Sequence, residues 1–143
     1  MSQAARKPKI LVARAIFPDI LERLSEVAHV TSNQDDRLWT PEDLGEVIAD
    51  QDAAIVTGGE QIDANILAQA KHLKIVSNIA VGYNNLDLPA FKAAGVMATN
   101  TPDVLNETTA DFGWTLMMAA TRRVSESEHF LRAGQWKKWR YDD

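Results

Sequence analysis

The 143-residue chain contains no cysteine. This excludes a disulfide framework, a thiolate metal site and a cysteine nucleophile. Glycine is sparse, and the seven glycines, at 45, 58, 59, 82, 95, 113 and 134, cannot build the Gly-x-Gly-x-x-Gly dinucleotide fingerprint. Gly-x-Ser-x-Gly, the Walker loop and His-Glu-x-x-His are absent too. No run approaches the roughly 18 apolar residues of a membrane span. Positive charge is in deficit: 15 Lys+Arg against 20 Asp+Glu leave a net charge of −5, which disfavours a nucleic-acid binder. The start is basic, but the apolar run from Ile10 to Phe17 is short, is broken by Arg14 and precedes no small-residue cleavage site. A secretory leader is therefore not expected, and the cytoplasm is the expected compartment. In that compartment the sequon Asn106-Glu107-Thr108 is read as a helix start. No internal repeat or low-complexity tract is present.

Apolar residues make up 45% of the chain, enough for one well-buried core at this length. They fall into short runs separated by helical patterns. Lys9–Ala13, His29–Ser32, Ala53–Thr57, Lys74–Ala80 and Val96–Thr99 are expected strands. Pro18 opens a helix with an apolar face of Ile20, Leu21, Leu24 and Val27. Thr40-Pro41-Glu42-Asp43 is a second helix start, Asp63 caps a third, and Asp87 starts a fourth that stops at Gly95. Five strand–helix alternations with short connections predict an α/β, flavodoxin-like parallel sheet of about five strands with helices on both faces. The strands lack polar alternation, as expected where both faces are covered.

The final segment differs. From a capping box at Thr108-x-x-Asp111, a single long helix is expected to run to about Ala133, with Gly134 as its stop. Phe112, Trp114, Leu116, Met117, Met118, Ala119 and Ala120 make its first half apolar on every side, so a single sheet cannot cover it. A second domain or a second copy must cover the rest, and a homodimer or higher oligomer through the 109–120 helix is expected. Trp136 and Trp139 follow among charges, and the chain ends without a cap, as a cut chain would.

The most informative loop is Ile79-Ala80-Val81-Gly82-Tyr83-Asn84-Asn85. It follows the carboxyl end of a buried strand, where open α/β sheets place ligands. Gly82 permits close backbone approach, and free N–H groups at Val81, Gly82 and Tyr83 form a potential anion nest, against the plainer reading of an ordinary strand-to-helix turn. Gly58-Gly59, at the same level of a neighbouring strand, either clears space for a substrate or makes a tight turn. His29, His72 and His129 have no ligand spacing, and no metal site is expected. Asp35-Asp36 and Asp142-Asp143 read as solvated pairs, and Arg122-Arg123 as a solvated helix face. A stand-alone flavodoxin-like binding or regulatory module is the competing reading. Its phosphoacceptor version lacks support, because Ala13-Arg14 stand where an acidic pair is needed and Asn100 where a lysine is.

Three motifs in order carry a family resemblance: Asn78 to Asp87, Gly95 to Leu105, and Thr108 to Ala119 with Arg122-Arg123 and Gly134-Gln135-Trp136 after it. Together they resemble the D-isomer-specific 2-hydroxyacid dehydrogenases, in particular the glyoxylate/hydroxypyruvate/2-ketogluconate reductase group. The resemblance implies two α/β domains with a cleft between them. Residues 1–105 would be the substrate-binding domain, and 106–143 the interdomain helix and the start of a dinucleotide-binding domain. It implies reduction of a small 2-oxo acid to a D-2-hydroxy acid with NADPH or NADH. It implies that Val81 and Gly82 hold the substrate carboxylate, that Gly58 lies at the pocket wall, and that Thr109 meets the cofactor. The family's fingerprint and its catalytic Arg, Glu and His have no counterpart here, and His129 precedes the nucleotide domain. General-acid help of roughly 10²–10⁴-fold would then be missing, so this chain alone is expected to be catalytically incomplete.

Overall fold

Side-chain caps fix three of the helix starts in a computed structural model, which describes residues 6–139 and 141. Thr40 Oγ1 accepts the Asp43 N–H at 3.1 Å, Asp63 Oδ1 accepts that of Ile66 at 2.9 Å, and Asp87 Oδ1 accepts that of Ala90 at 3.1 Å. Each cap is worth about 1 kcal/mol. They open α2 (Pro41–Ile48), α3 (Ala64–Gln69) and α4 (Leu88–Ala94), and α1 (Pro18–Val27) begins on its proline. Gly95, at φ +68°, closes α4 in the left-handed conformation that glycine adopts without steric cost.

The helices connect β1 (Lys9–Val12), β2 (His29–Ser32), β3 (Ala53–Thr57), β4 (Ile75–Ile79) and β5 (Met97–Thr99). The strands form one sheet in the order β2-β1-β3-β4-β5, every neighbouring pair parallel, as the alternation predicts. Register sets Thr57 opposite Ile79, so β3 and β4 end at the same level. The core lies where Leu44, Ile48, Ile66, Leu67 and Phe91 of α2–α4 meet Leu11, Ala54, Val56 and Val76 of the sheet. Each such side chain contributes roughly 1.5–3 kcal/mol by leaving water.

The other face is covered less. α1 packs along β2 and adds nothing to that core, and Val27, expected on its apolar face, is 61% exposed. β3 and β4 accordingly alternate between buried and half-buried positions, with Ile79 at the end of β4 exposed, instead of being covered throughout.

The chain divides into two compact units, Met1–Pro102 and Asp103–Asp143, whereas the sequence reading puts a division at residue 105. The second unit corrects one expectation. The long helix is two helices, α5 (Asn106–Thr121) and α6 (Val124–Arg132). Its start is not the Thr108 box. A turn at Asp103 (φ +66°), with Asn106 Nδ2 donating to Asp103 Oδ1 at 3.0 Å, begins the helix earlier. Thr108 is then already helical and lacks the extended backbone of a cap. The break falls at Arg123, whose φ of +51° is left-handed and costs about 1–2 kcal/mol. Its guanidinium folds onto Glu126. Arg122-Arg123 thus end one helix and begin another, rather than decorating a continuous face. Gly134 (φ +65°) follows α6 as expected. Among the described residues no helix is long and apolar enough to cross a membrane. The Asp142-Asp143 pair lies outside the described residues.

Candidate functional site

The strand order reverses between β1 and β3, and open α/β sheets bind ligands outside the carboxyl ends of the strands at such a switch. Here that crevice is filled by the protein's own charges. Arg14, just after β1, donates from Nε to Asp36 Oδ1 at 2.7 Å and from Nη2 to Asp36 Oδ2 at 2.9 Å. The Ala15 N–H adds a bond to the same carboxylate at 3.1 Å. Asp36, at φ +53°, stays solvent-exposed as expected of the pair, but its carboxylate is also the ion-pair partner of Arg14. The Arg14 bond, with the Ala15 N–H second, lowers the Asp36 pKa to about 2. On the other side, Arg14 Nη1 lies 3.6 Å from Glu60 Oε1, whose side chain is 4% exposed. The Thr57 N–H and hydroxyl both donate to Glu60 Oε2, at 2.8 and 3.0 Å. Every charge in the crevice has a protein partner.

These residues do not suit a dinucleotide. The turn after β1 has no glycine to admit a pyrophosphate. Asp36 stands after β2, where dinucleotide folds keep a ribose-binding acid, but Arg14 occupies it.

The loop after β4 is built in the opposite way. Among the described residues no acceptor is found for the N–H groups of Val81, Gly82, Tyr83 and Asn84. Val81, Gly82, Tyr83 and Asn84 are all exposed residues, so their N–H groups lie on a loop open to solvent. A Cβ placed on Gly82 would meet no atom within 4 Å, and its φ is not in the positive range. Neither packing nor backbone conformation inside this chain requires glycine there. Gly58, just after β3, lies beside Ala80: a Cβ on Gly58 would stand 3.9 Å from Ala80 Cβ, an ordinary contact. Gly58 thus stands beside the residue that precedes Val81 and Gly82, at the ends of β3 and β4. Thr109 lies in the other unit, exposed in the first turns of α5, its N–H bonded to the Leu105 carbonyl at 2.8 Å.

Two buried asparagines hold the loop, and sequence reasoning passed over them as site residues. Asn78 (1% exposed) donates from Nδ2 to the Gly82 carbonyl at 3.0 Å and to Asn85 Oδ1 at 3.2 Å. Asn85 donates from Nδ2 to the carbonyls of Thr57 and Glu60, both at 3.0 Å. Those carbonyls only accept, so the orientation of both amides is fixed by the network. The bridge Ile62↔Leu86 ties the same two loops together through the backbone. An asparagine next to the end of an apolar strand was the available signal, since strands are depleted in it.

The histidines are isolated and exposed, and among the described residues no group of acids and histidines could hold a metal. In the second unit, Arg122, Arg123, Phe130, Trp136 and Trp139 line an open cavity of about 750 Å³. Its one acid, Glu126, is paired with Arg123, so it offers shape without a free acid or base.

Residues 10–132 match the family model of the D-isomer specific 2-hydroxyacid dehydrogenase catalytic domain. The chain is 41% identical to a glyoxylate reductase of Thermococcus kodakarensis over 92% of its length, which is 40% of that protein, and 40% identical to the one of Aeropyrum pernix over 94%, again 40% of the relative. It therefore spans about two fifths of the curated relatives it matches. A crystal structure from Thermus thermophilus superposes with a TM-score of 0.83 at 34% identity, over 93% of this chain and 43% of that one. An NADPH-dependent glyoxylate/hydroxypyruvate reductase of Sinorhizobium meliloti, in complex with NADP and malonate, does so with a TM-score of 0.69 at 32% identity, over 91% and 39%.

Proposed function

The chain belongs to the D-isomer specific 2-hydroxyacid dehydrogenase family, and on that premise we propose that its first unit is the substrate side of an oxidoreductase that reduces a 2-oxo acid of the glyoxylate or hydroxypyruvate kind to a D-2-hydroxy acid. The observation that carries this reading is the run of unpartnered N–H groups from Val81 to Asn84, next to a Gly82 that nothing inside the chain requires. A substrate carboxylate accepts from Val81 and Gly82, each charge-assisted bond being worth about 1.5–3 kcal/mol. Gly58 forms the facing wall and leaves it open. The relatives named glyoxylate reductase, and the neighbour crystallised with malonate, a dicarboxylate, support a small carboxylate as the ligand.

Residues 1–105 form the substrate-binding domain in this reading, and residues 106–143 the interdomain helix and the start of a dinucleotide-binding domain. The reductant is NADPH or NADH, with Thr109 as its contact. The charge-filled β1–β3 crevice offers the cofactor no cradle, so no hydride step is assigned to these residues. The chain's own part is to bind the acid by its carboxylate and to fix where the adjacent carbonyl stands. Among the described residues no free general acid stands beside the nest, so the 143 residues by themselves are expected to bind without turning over.

Titration calorimetry tests both statements. Glyoxylate should bind the wild-type chain, and Gly82→Val should weaken binding roughly tenfold, about 1.4 kcal/mol. The melting temperature should move by no more than about 2 °C, because the position is exposed and a Cβ there meets no atom within 4 Å. Equal affinity in the variant would remove the carboxylate from this loop. NADPH oxidation with glyoxylate by the chain alone would contradict catalytic incompleteness, while binding without any turnover-competent longer form would favour a stand-alone binding module.

A second proposal concerns assembly. Phe112, Trp114, Leu116, Met117 and Met118 of α5 are 44–63% exposed, an apolar surface of the kind that soluble monomers avoid. The 109–120 helix is the proposed contact of a homodimer or higher oligomer. Light scattering at micromolar concentration should give a multiple of 15.8 kDa, reduced by Trp114→Asp. A monodisperse wild-type monomer would overturn it.

A further inference from the structure

Free N–H groups bind an anion only if they point outward together, and the carbonyls of the β4 loop reveal what points them. The Ala80 carbonyl accepts the Thr101 N–H at 3.0 Å. That of Val81 accepts Asn100 Nδ2 at 2.8 Å, and that of Gly82 accepts Asn78 Nδ2 at 3.0 Å. Three successive carbonyls are each held by a donor from elsewhere in the chain. No peptide among the described residues is cis. In a trans peptide the C=O and the following N–H point in opposite directions. A donor that holds the carbonyl of one residue therefore aims the N–H of the next away from itself.

Thr101 and Asn100 follow β5, and β4 lies between β5 and β3. The N–H groups of Val81 and Gly82 consequently face away from the β5 side, toward the β3 side where Gly58 leaves room. Asn78, buried at the end of β4, turns the Gly82 carbonyl inward and so the Tyr83 N–H outward. Asn85 braces Asn78 from behind through its bonds to Thr57 and Glu60.

We infer that Asn78 and Asn100 are positioning residues for 2-oxo acid recognition: by holding the Val81 carbonyl, Asn100 aims the Gly82 N–H at the substrate carboxylate, and by holding the Gly82 carbonyl, Asn78 turns the Tyr83 N–H outward as a third donor beside those of Val81 and Gly82. The inference rests on the carboxylate reading above and adds what makes the loop selective. Neither asparagine touches the substrate, and each acts through one peptide plane. Valine or alanine could fill either volume, but only a side-chain donor fixes the peptide. Aspartate cannot substitute, because an ionised carboxylate facing a carbonyl has no proton to donate.

The test is glyoxylate titration of the ¹⁵N-labelled 143-residue chain, read at the Val81, Gly82 and Tyr83 amides, for wild type, Asn100→Ala, Asn100→Gln and Asn78→Ala. Asn100 is half-buried, so its variants keep the fold; if Asn78→Ala does not fold, the Asn100 pair decides. Asn100→Ala should bind at least about tenfold more weakly at an unchanged melting temperature. The free-state Gly82 amide resonance should also shift, because its own peptide has lost the bond. Asn100→Gln, which keeps an amide donor, should recover part of the affinity. Equal affinity in wild type and Asn100→Ala overturns the positioning role and leaves the carboxylate reading standing. No response of the wild-type amides to glyoxylate overturns both.

Discussion

Two stretches of the same sheet edge are finished in opposite ways. After β1 and β3, Arg14, Asp36, Glu60 and Thr57 saturate one another, and the crevice that this topology usually offers to a ligand is closed by ion pairs. After β4, the carbonyls are held from behind and the N–H groups are left to solvent. A fold does not by itself choose where it binds. The choice lies in which loop the side chains satisfy, and here a doubly wound sheet has closed its switch point and opened the next loop along. The two stretches are also joined, since the Asn85 amide donates to the carbonyls of Thr57 and Glu60 on one side and meets Asn78 on the other. The closed crevice is thus the foundation of the open loop.

The comparison can be broken most strongly at Arg14. Arg14→Met removes both the cation beside the buried Glu60 carboxylate and the two bonds to Asp36, and should give the largest loss of stability in the series, seen as an earlier midpoint in urea unfolding. A loss below about 1 kcal/mol would mean that the Thr57 donors alone suffice for Glu60. A smaller effect is expected with acid. Asp36 has a folded pKa of about 2 against 3.8 for the free side chain, so its contribution is complete above pH 4 and is lost as pH falls toward 2. Asp36→Asn should remove that part of the acid-induced loss in a pH series of thermal melts; an unchanged slope would show that the ion pair is not formed in solution. The smallest effect on stability belongs to the open loop. Gly82→Val should stay within about 0.5 kcal/mol of wild type while binding suffers, the reverse of the Arg14 result.

Much of the architecture was legible because it rests on short-range signals. The apolar runs locate all five strands, and Thr40, Asp63 and Asp87 cap the helices they appear to cap, since a side-chain oxygen three residues before an N–H needs no tertiary information. The motif from Asn78 to Asp87 pointed to the loop whose donors are free. What stayed hidden depends on distant partners. The Asp36 ion pair went unread because Arg14 is 22 residues away and only the fold brings them together. The break at Arg123 has no glycine or proline to announce it and depends on a left-handed residue paired with Glu126. The roles of Asn78, Asn85 and Asn100 follow from which carbonyls they reach, and sequence spacing does not carry that.

In the function proposed above, the β4 loop and not the switch-point crevice receives the acid. The most direct measurement is a map of backbone amide shifts on adding glyoxylate to the wild-type chain. Saturable shifts concentrated at Val81, Gly82 and Tyr83 are expected, with Ala15 and Gly59 unmoved. Shifts centred on Ala15 and Gly59, or none that saturate, would contradict that placement.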